Sequence, residues 1–192
     1  MKRRIVVCIT GSTGAIYGTR LLQACSKIEN LETHAVISSA AEATIRLELH
    51  KEREEVEKMA TYAYSEYDFE APIASGSFIT DSMIVAPCSM KTLSSIATGF
   101  EQNLVTRAAM VALKERRPLI LLTRETPLNL IQLRNMVQVT EAGGIIMPPL
   151  PPLYFEPKNM VELADLTVGR VLNMVGVKTD LLREWGKEKL TD

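Results

Sequence analysis

Histidine, cysteine and aromatic residues are scarce in this sequence. Two histidines, three cysteines and ten aromatic side chains, one of them tryptophan, serve 192 residues. His34 sits in an apolar run and His50 in a charged stretch, so a Ser/His/Asp or Cys/His catalytic set has little material. Cys8, Cys25 and Cys88 form no C-x-x-C pair, which argues against a disulfide scaffold or a zinc site and fits a reducing compartment. Neither sign of charge dominates: 22 basic against 23 acidic residues leave a formal charge of −1. The chain therefore has no general attraction for nucleic acid or anionic membrane, and an anionic ligand must be met by local cations. No apolar run is long enough to span a bilayer. Behind Lys2-Arg3-Arg4 the apolar stretch covers only residues 5–9, too short for the core of a signal peptide, so the expected setting is the cytoplasm. Internal repeats are absent, as are an Asp-rich D-D-x-x-D magnesium motif, the G-x-G-x-x-G fingerprint and a Walker A loop.

What is present points to one domain, residues 1–192, burying roughly 70% of the surface of its unfolded chain. It is organised around RIVVCITGSTGAIYG, residues 4–18. A β-branched run breaks into a Gly/Ser/Thr turn and then into a helix-compatible segment. The first amides of such a helix lack intrahelical partners, so with the hydroxyls of Thr10, Ser12 and Thr13 they can converge on an anion. A tight strand-to-helix turn also needs glycine with no ligand on it, and the turn alone does not separate the two readings.

The same unit recurs. Residues 33–37 form a strand candidate, and Ser38-Ser39 caps a helix to about residue 49. Residues 50–59 are charge-rich with mixed sign and read as a solvated helix face. Residues 61–78 show no period and read as a surface excursion. A third strand, 83–86, leads through Pro87, Cys88, Ser89, Met90, Lys91 and Thr92 into a helix that Gly99 ends. A helix over 103–115 carries Arg107 and Lys114. A fourth strand, 119–122, runs into Thr123-Arg124-Glu125-Thr126-Pro127 and a helix over 128–142, and a fifth covers 145–147. The segment 148–157 (PPLPPLYFEP) then reads as a stiff flap presenting Tyr154 and Phe155. The last helix, 160–175, carries Arg170, and the tail, 179–192, with Trp185, is expected to pack on a neighbouring subunit.

Strands alternating with helices predict an α/β fold, a doubly wound parallel sheet covered by helices on both faces. Ligands of such sheets bind beyond the carboxyl ends of the strands. Ser12, Thr13, Ser38, Ser89, Thr92 and Arg124 are thus predicted to meet at one rim.

Taken together, TGSTGAIYG, PCSMKTLSSIATG, KERRPLILLTRETP, GGIIMPPLPPLYFEP and VGRVLN resemble the UbiX/Pad family of flavin prenyltransferases from residue 4 to about 185. The resemblance implies a flavodoxin-like fold, assembly as a homododecamer with flavin at subunit interfaces, and transfer of a dimethylallyl group from dimethylallyl phosphate to N5 and C6 of reduced FMN. The product, prenylated FMN, would serve a UbiD-type decarboxylase. By the same resemblance Gly11, Ser12, Thr13, Ser38, Ser89, Met90, Lys91, Thr92 and Arg124 contact FMN. Ser75, Phe69, Arg107, Lys114, Tyr154 and Arg170 take the prenyl donor, and Glu48, Glu125, Lys114 and Tyr154 act in the chemistry. One departure stands out. The family's usual Gly-Ala-Ser-Gly turn is here Gly11-Ser12-Thr13-Gly14, which keeps a hydroxyl at Thr13 but adds a methyl group.

Chemical logic agrees with those residue types. Breaking an allylic C–O bond releases phosphate and an electron-poor allyl fragment, which ask for fixed cations, a π-face and a proton acceptor, with no metal required. Each residue also has a plainer role. Arg124 and Glu125 can form a surface ion pair, and Glu48, Arg107 and Lys114 can be solvated helix positions. Tyr154 can plug the flap, and Cys88 can be a small buried hydrophobe. Two rival functions share the fold: a flavin-dependent cysteine decarboxylase, which needs a catalytic histidine facing the flavin, and a non-catalytic flavin carrier, which needs neither Lys114, Glu48 nor Tyr154.

Overall fold

The computed structural model describes residues 2–182. Six parallel strands form one sheet: β1 (Arg3–Ile9), β2 (Leu31–Ile37), β3 (Tyr62–Tyr64), β4 (Ser82–Cys88), β5 (Leu119–Thr123) and β6 (Ile145–Ile146). Their order is β3-β2-β1-β4-β5-β6. Setting aside the three-residue edge strand β3, this is the 2-1-3-4-5 order of flavodoxin-like sheets. The sequence pattern shows five of the six strands. The missed one is short, lies at the sheet edge and is largely exposed, so the segment around it carries no alternation.

Among the described residues seven α-helices cover the sheet: α1 (Ala15–Cys25), α2 (Ser39–Leu49), α3 (Arg53–Glu57), α4 (Met90–Thr98), α5 (Leu104–Lys114), α6 (Leu130–Glu141) and α7 (Met160–Met174). Alternation along the central strand sorts the core into two layers. Ile5, Val7 and Ile9 pack with Leu21 and Leu22 of α1, Ile45 of α2 and Val168, Val171 and Leu172 of α7. Val6 and Cys8 face the other way, toward Leu93 of α4, Ala108 and Ala109 of α5 and Val139 of α6. Both faces being covered explains why β1, β4 and β5 read as unbroken apolar runs.

Two local features set the rim. Gly18, within α1, allows the helix to lie directly on the sheet: a Cβ there would stand 2.6 Å from Ile9 Cγ1 and closer still to the Ala86 carbonyl oxygen. Gly11 does the same for the turn after β1, where a Cβ would collide with Ala40 Cβ and lie 3.0 Å from the Ala40 carbonyl carbon. In the charge-rich stretch, Arg53 pairs with Glu42 at 2.9 Å and Glu57 at 2.6 Å, while Val56 turns inward and is fully buried. The proline segment contains a single 3₁₀ turn, Leu153–Phe155. At the start of the tail, Leu181 and Leu182 lie against Gly169 of the same chain. Residues 183–192, with Trp185, fall outside the described residues. Among the described residues no helix is long and apolar enough to cross a membrane.

Candidate functional site at the carboxyl rim of the sheet

The chain leaves β1 toward β2 on one side and returns at β4 on the other, so the carboxyl ends of β1 and β4 flank the topological switch point. Thr10 ties the two ends together. Its Oγ1 donates to the Pro87 carbonyl at 2.9 Å and accepts from Ser89 N–H at 2.8 Å. The turns that follow carry the predicted hydroxyls, and two cavities open between them.

The first, about 200 Å³, is polar and is lined by Gly11, Ser38, Ser89, Lys91 and Thr92, five of the residues expected there, together with Glu66 and Asn103. Ser89 caps α4, accepting from Thr92 N–H at 3.3 Å and lying 3.1 Å from Thr92 Oγ1. Ser38 is 7% exposed and its hydroxyl has no partner among the described residues. The Ser12 hydroxyl is likewise buried and unpartnered. A buried hydroxyl without a partner is costly unless a ligand supplies one, so these positions suit a bound polar group such as a phosphomonoester. Glu66, which no sequence signal singled out, is 6% exposed. It accepts from Ser39 N–H at 2.7 Å, from the Ser39 hydroxyl and from Asn103 Nδ2 at 2.9 Å. Burial pushes its carboxyl pKa up, but these bonds and the nearby Lys91 ammonium outweigh that and hold it below its ordinary value.

The second cavity, about 410 Å³, brings Thr13, Glu48 and Arg124 together with Tyr17 and Met160. Glu48 reaches back from the end of α2 to the start of α1. Its carboxylate accepts from Gly14 N–H at 2.9 and 3.1 Å and from Ala15 N–H at 2.9 Å. Gly14 itself offers no side-chain cap and sits at φ 103°, in the left-handed region that suits glycine. Two amides read from the sequence as open to an anionic ligand are therefore taken by a carboxylate of the chain. Arg124 is anchored through its own N–H to the Cys88 carbonyl at 3.1 Å. Among the described residues its guanidinium has no hydrogen-bond or ion-pair partner. Tyr17 was not foreseen as part of the site; burial pushes its phenol pKa up, opposed by the Arg124 charge.

The other expected residues line neither rim cavity. Tyr154 and Arg170 face a third, about 550 Å³, between the proline segment and α7. Ser75, Arg107 and Lys114 gather along α5 beside the turn after β3. Arg107 donates to the Ala74 carbonyl and pairs with Glu101, both at 2.9 Å. Lys114 pairs with Glu115 and lies against Gly76, and Ser75 bonds Ser77 at 2.9 Å. Phe69 is 48% exposed, and Glu125 is exposed and accepts from Thr126 N–H at 3.0 Å rather than pairing with Arg124. Met90 packs into the core at the start of α4.

Of the unforeseen residues, Asn103 carried a readable signal, since Asn103-x-x-Thr106 is a capping box. Tyr17 stands inside the opening motif, three residues after Gly14. Glu66 lies in the stretch without period, where nothing marks it.

The flavoprotein family model matches residues 1–175. The chain is 52% identical over 189 residues to a probable UbiX-like flavin prenyltransferase of Bacillus subtilis, covering 98% of this chain and 92% of the relative. It is 45% identical over 185 residues to the flavin prenyltransferase UbiX of Escherichia coli K12, covering 95% and 98%. A crystal structure of AnUbiX (PadA1) in complex with FMN and dimethylallyl pyrophosphate superposes with a TM-score of 0.93 at 47% identity, covering 96% of this chain and 98% of that one. A crystal structure described as a dodecameric FMN-dependent UbiX-like decarboxylase of Escherichia coli O157:H7 gives 0.92 at 43% identity, covering 95% and 98%. With 45–52% identity to these prenyltransferases over nearly the whole chain, the chain belongs to the UbiX/Pad family of flavin prenyltransferases.

Proposed function

We infer that this protein is a flavin prenyltransferase that joins a dimethylallyl group to FMN. What carries the reading is the pair of rim cavities, one hydroxyl-rich with a lysine and one holding Arg124 and Glu48, in a chain that superposes closely on a relative bound to FMN and dimethylallyl pyrophosphate. The unpartnered hydroxyls of Ser12 and Ser38 fit the phosphoribityl end of FMN. Gly11, Ser89, Lys91 and Thr92 complete that wall in this reading, with Met90 contributing through its backbone at the start of α4, and Thr13 and Arg124 face the ring end. Reduced FMN supplies the nucleophilic N5 and C6.

The protein's own groups do the rest. Arg124, Lys114 and Arg170 stabilise the departing phosphate more in the transition state than in the ground state, and Tyr154 donates a hydrogen bond to it. Ser75 and Arg107 help to hold the donor. Phe69 offers a π-face to the developing allyl cation. In this reading Glu48, at the rim cavity, and Glu125, which the assembled site would have to enclose, accept the proton released on ring closure. We read the reaction as independent of divalent metal because these cations carry the charge that a metal would otherwise neutralise.

Tyr154, Arg170, Ser75, Arg107 and Lys114 line neither rim cavity. We therefore propose that subunit assembly completes the site, as a homododecamer like the Escherichia coli relative. Exposed apolar residues support this, among them Leu130 and Ile131 on α6 and Leu150 at 83% exposure. We propose dimethylallyl phosphate as donor and a UbiD-type decarboxylase as recipient of the product. A cytoplasmic setting is supported by three buried free thiols; a yeast relative is named mitochondrial.

The cysteine-decarboxylase reading lacks its histidine. His34 is buried on β2, stacked on Tyr62 and Tyr64 and bonded to Tyr64 Oη at 2.9 Å, and His50 is exposed at the end of α2. Solved decarboxylases of that kind are 16–23% identical to this chain, a likeness that shows the fold alone. The deciding experiment is anaerobic incubation with reduced FMN and dimethylallyl monophosphate or diphosphate, with and without EDTA, followed by mass spectrometry. A flavin heavier by one prenyl group, undiminished by EDTA, is expected. Unmodified flavin under all conditions refutes the transferase.

A further inference from the structure

Glu66 has no part in the chemistry outlined above, yet among the described residues it is the one carboxylate lining the hydroxyl-rich cavity. Burying a charge beside an anion site is expensive in two ways: desolvation, and repulsion of the ligand. All of its bonds run to one structural purpose. The carboxylate takes both the N–H and the hydroxyl of Ser39, the first residue of α2, and the Nδ2 of Asn103, the cap of α5. Its own carbonyl accepts from Leu104 N–H at 2.7 Å. Asn103 cannot turn over to suit another partner, because its Oδ1 already accepts from Thr106 N–H at 3.1 Å. One side chain thus joins the amino ends of two helices that are far apart in sequence. Beside it, Ser38 is 7% exposed and lines the cavity with a hydroxyl that has no partner among the described residues, which leaves it available to a ligand there.

We propose that Glu66 is the positioning residue of the phosphate end of the flavin site: by clamping α2 to α5 it holds the Ser38 hydroxyl and its neighbours in the geometry that a phosphomonoester needs. This rests on the flavin reading above. It does not require Glu66 to touch the flavin.

The clamp and simple electrostatics predict opposite signs, which makes the test sharp. Glu66→Gln removes a negative charge from the wall of an anion site, so Coulomb repulsion alone predicts tighter FMN binding. The clamp predicts weaker binding: a glutamine has one acceptor oxygen, and its amide then opposes either the Ser39 N–H or the Asn103 Nδ2, both donors. Dissociation constants of FMN and riboflavin are to be measured by quenching of flavin fluorescence in the full-length protein. The expected result is FMN weakened at least about tenfold, the scale of a lost charge-assisted bond, with riboflavin unchanged within about twofold. Glu66→Asp keeps the charge but shortens the reach; it is expected to weaken FMN as well, and it decides the matter should the Gln variant fail to fold. Tighter or unchanged FMN binding, or equal weakening of both flavins, overturns the proposal. If the wild-type protein does not prefer FMN to riboflavin, the flavin reading itself fails, independently of either variant.

Discussion

Replacing Glu48 by alanine tests whether a residue from α2 caps α1. The carboxylate accepts three contacts from Gly14 and Ala15 N–H at 2.9–3.1 Å, at the positive end of α1, whose N-cap glycine has no side chain to do so. A lost cap costs about 0.5–2 kcal/mol and the charge–dipole attraction adds a few tenths, and since Glu48 is exposed, solvent screening keeps the sum near ~1.5 kcal/mol. For a domain of this size each kcal/mol shifts Tm by about 2–4 °C, so the melt should move down by about 3–6 °C. Calorimetry or denaturant titration reads it, with the midpoint lowered and the slope m unchanged. Glu48→Gln keeps one acceptor and should lose less than half as much. In the reaction, Glu48→Gln should leave FMN bound and slow prenyl transfer, because the amide cannot take a proton. A Glu48→Ala protein that melts with the wild type refutes the cap, and loss of FMN from the Gln variant refutes the assigned role.

Gly18→Ala gains helix propensity of up to about 1 kcal/mol but drives a Cβ into Ile9 and the Ala86 carbonyl, so a net loss of about 1–3 kcal/mol is expected in denaturant titration; a stabilised variant contradicts the packing. The depressed Glu66 carboxyl contributes stability that is fully present above its ordinary value of 4.5 and is lost as pH falls through the lower folded value. The difference in unfolding midpoint between wild type and Glu66→Gln should therefore be constant at pH 6–7 and shrink below about pH 4.5. Burial pushes the thiols of Cys8 and Cys88 far up and that of Cys25 up to about 12, so Ellman's reagent at pH 8 should find essentially no reactive thiol in the native protein and all three after unfolding.

The doubly wound sheet was readable because its central strands are buried on both faces, which leaves short apolar runs bounded by turn residues. β3 was not readable, because in a three-residue edge strand with Tyr62 and Ala63 exposed and only Tyr64 packed inward there is too little buried face to impose a pattern. The rim followed from the same logic. Ser38, Ser89 and Arg124 each come directly after a strand and Thr92 lies in the first turn of the helix after β4, and parallel strands carry such positions to one edge. Gly18 shows the limit of reading a helix by periodicity: it looks like a flaw in α1, and it is the contact that allows α1 to touch the sheet. Glu66 and the grouping of Lys114 with Gly76 depend on contacts between segments far apart in sequence, which no local window contains.

The site of the ligand anion shows what local reading cannot settle. The GSTG turn has the amides, dipole and hydroxyls of a phosphate cradle, and by itself it would be assigned the phosphate. In the folded chain Glu48 already accepts from Gly14 and Ala15 N–H, and an incoming phosphate would have to displace a tethered carboxylate at the cost of two unpaired like charges. The neighbouring cavity has no such occupant: Ser38 has a hydroxyl to offer and Lys91 a cation, and the nearby carboxylate, Glu66, is already saturated by Ser39 and Asn103. In the proposed reading the FMN phosphate therefore lies between α2 and α4 rather than on α1, and the α1 turn, with Thr13 and Arg124, takes the ring end of the flavin. Thr13 then matters through its shape more than its charge. Thr13→Ser, which removes only a methyl group from that cavity, should change the Km for the prenyl donor while leaving FMN affinity within about twofold, and a large loss of FMN affinity would place the phosphate back on α1.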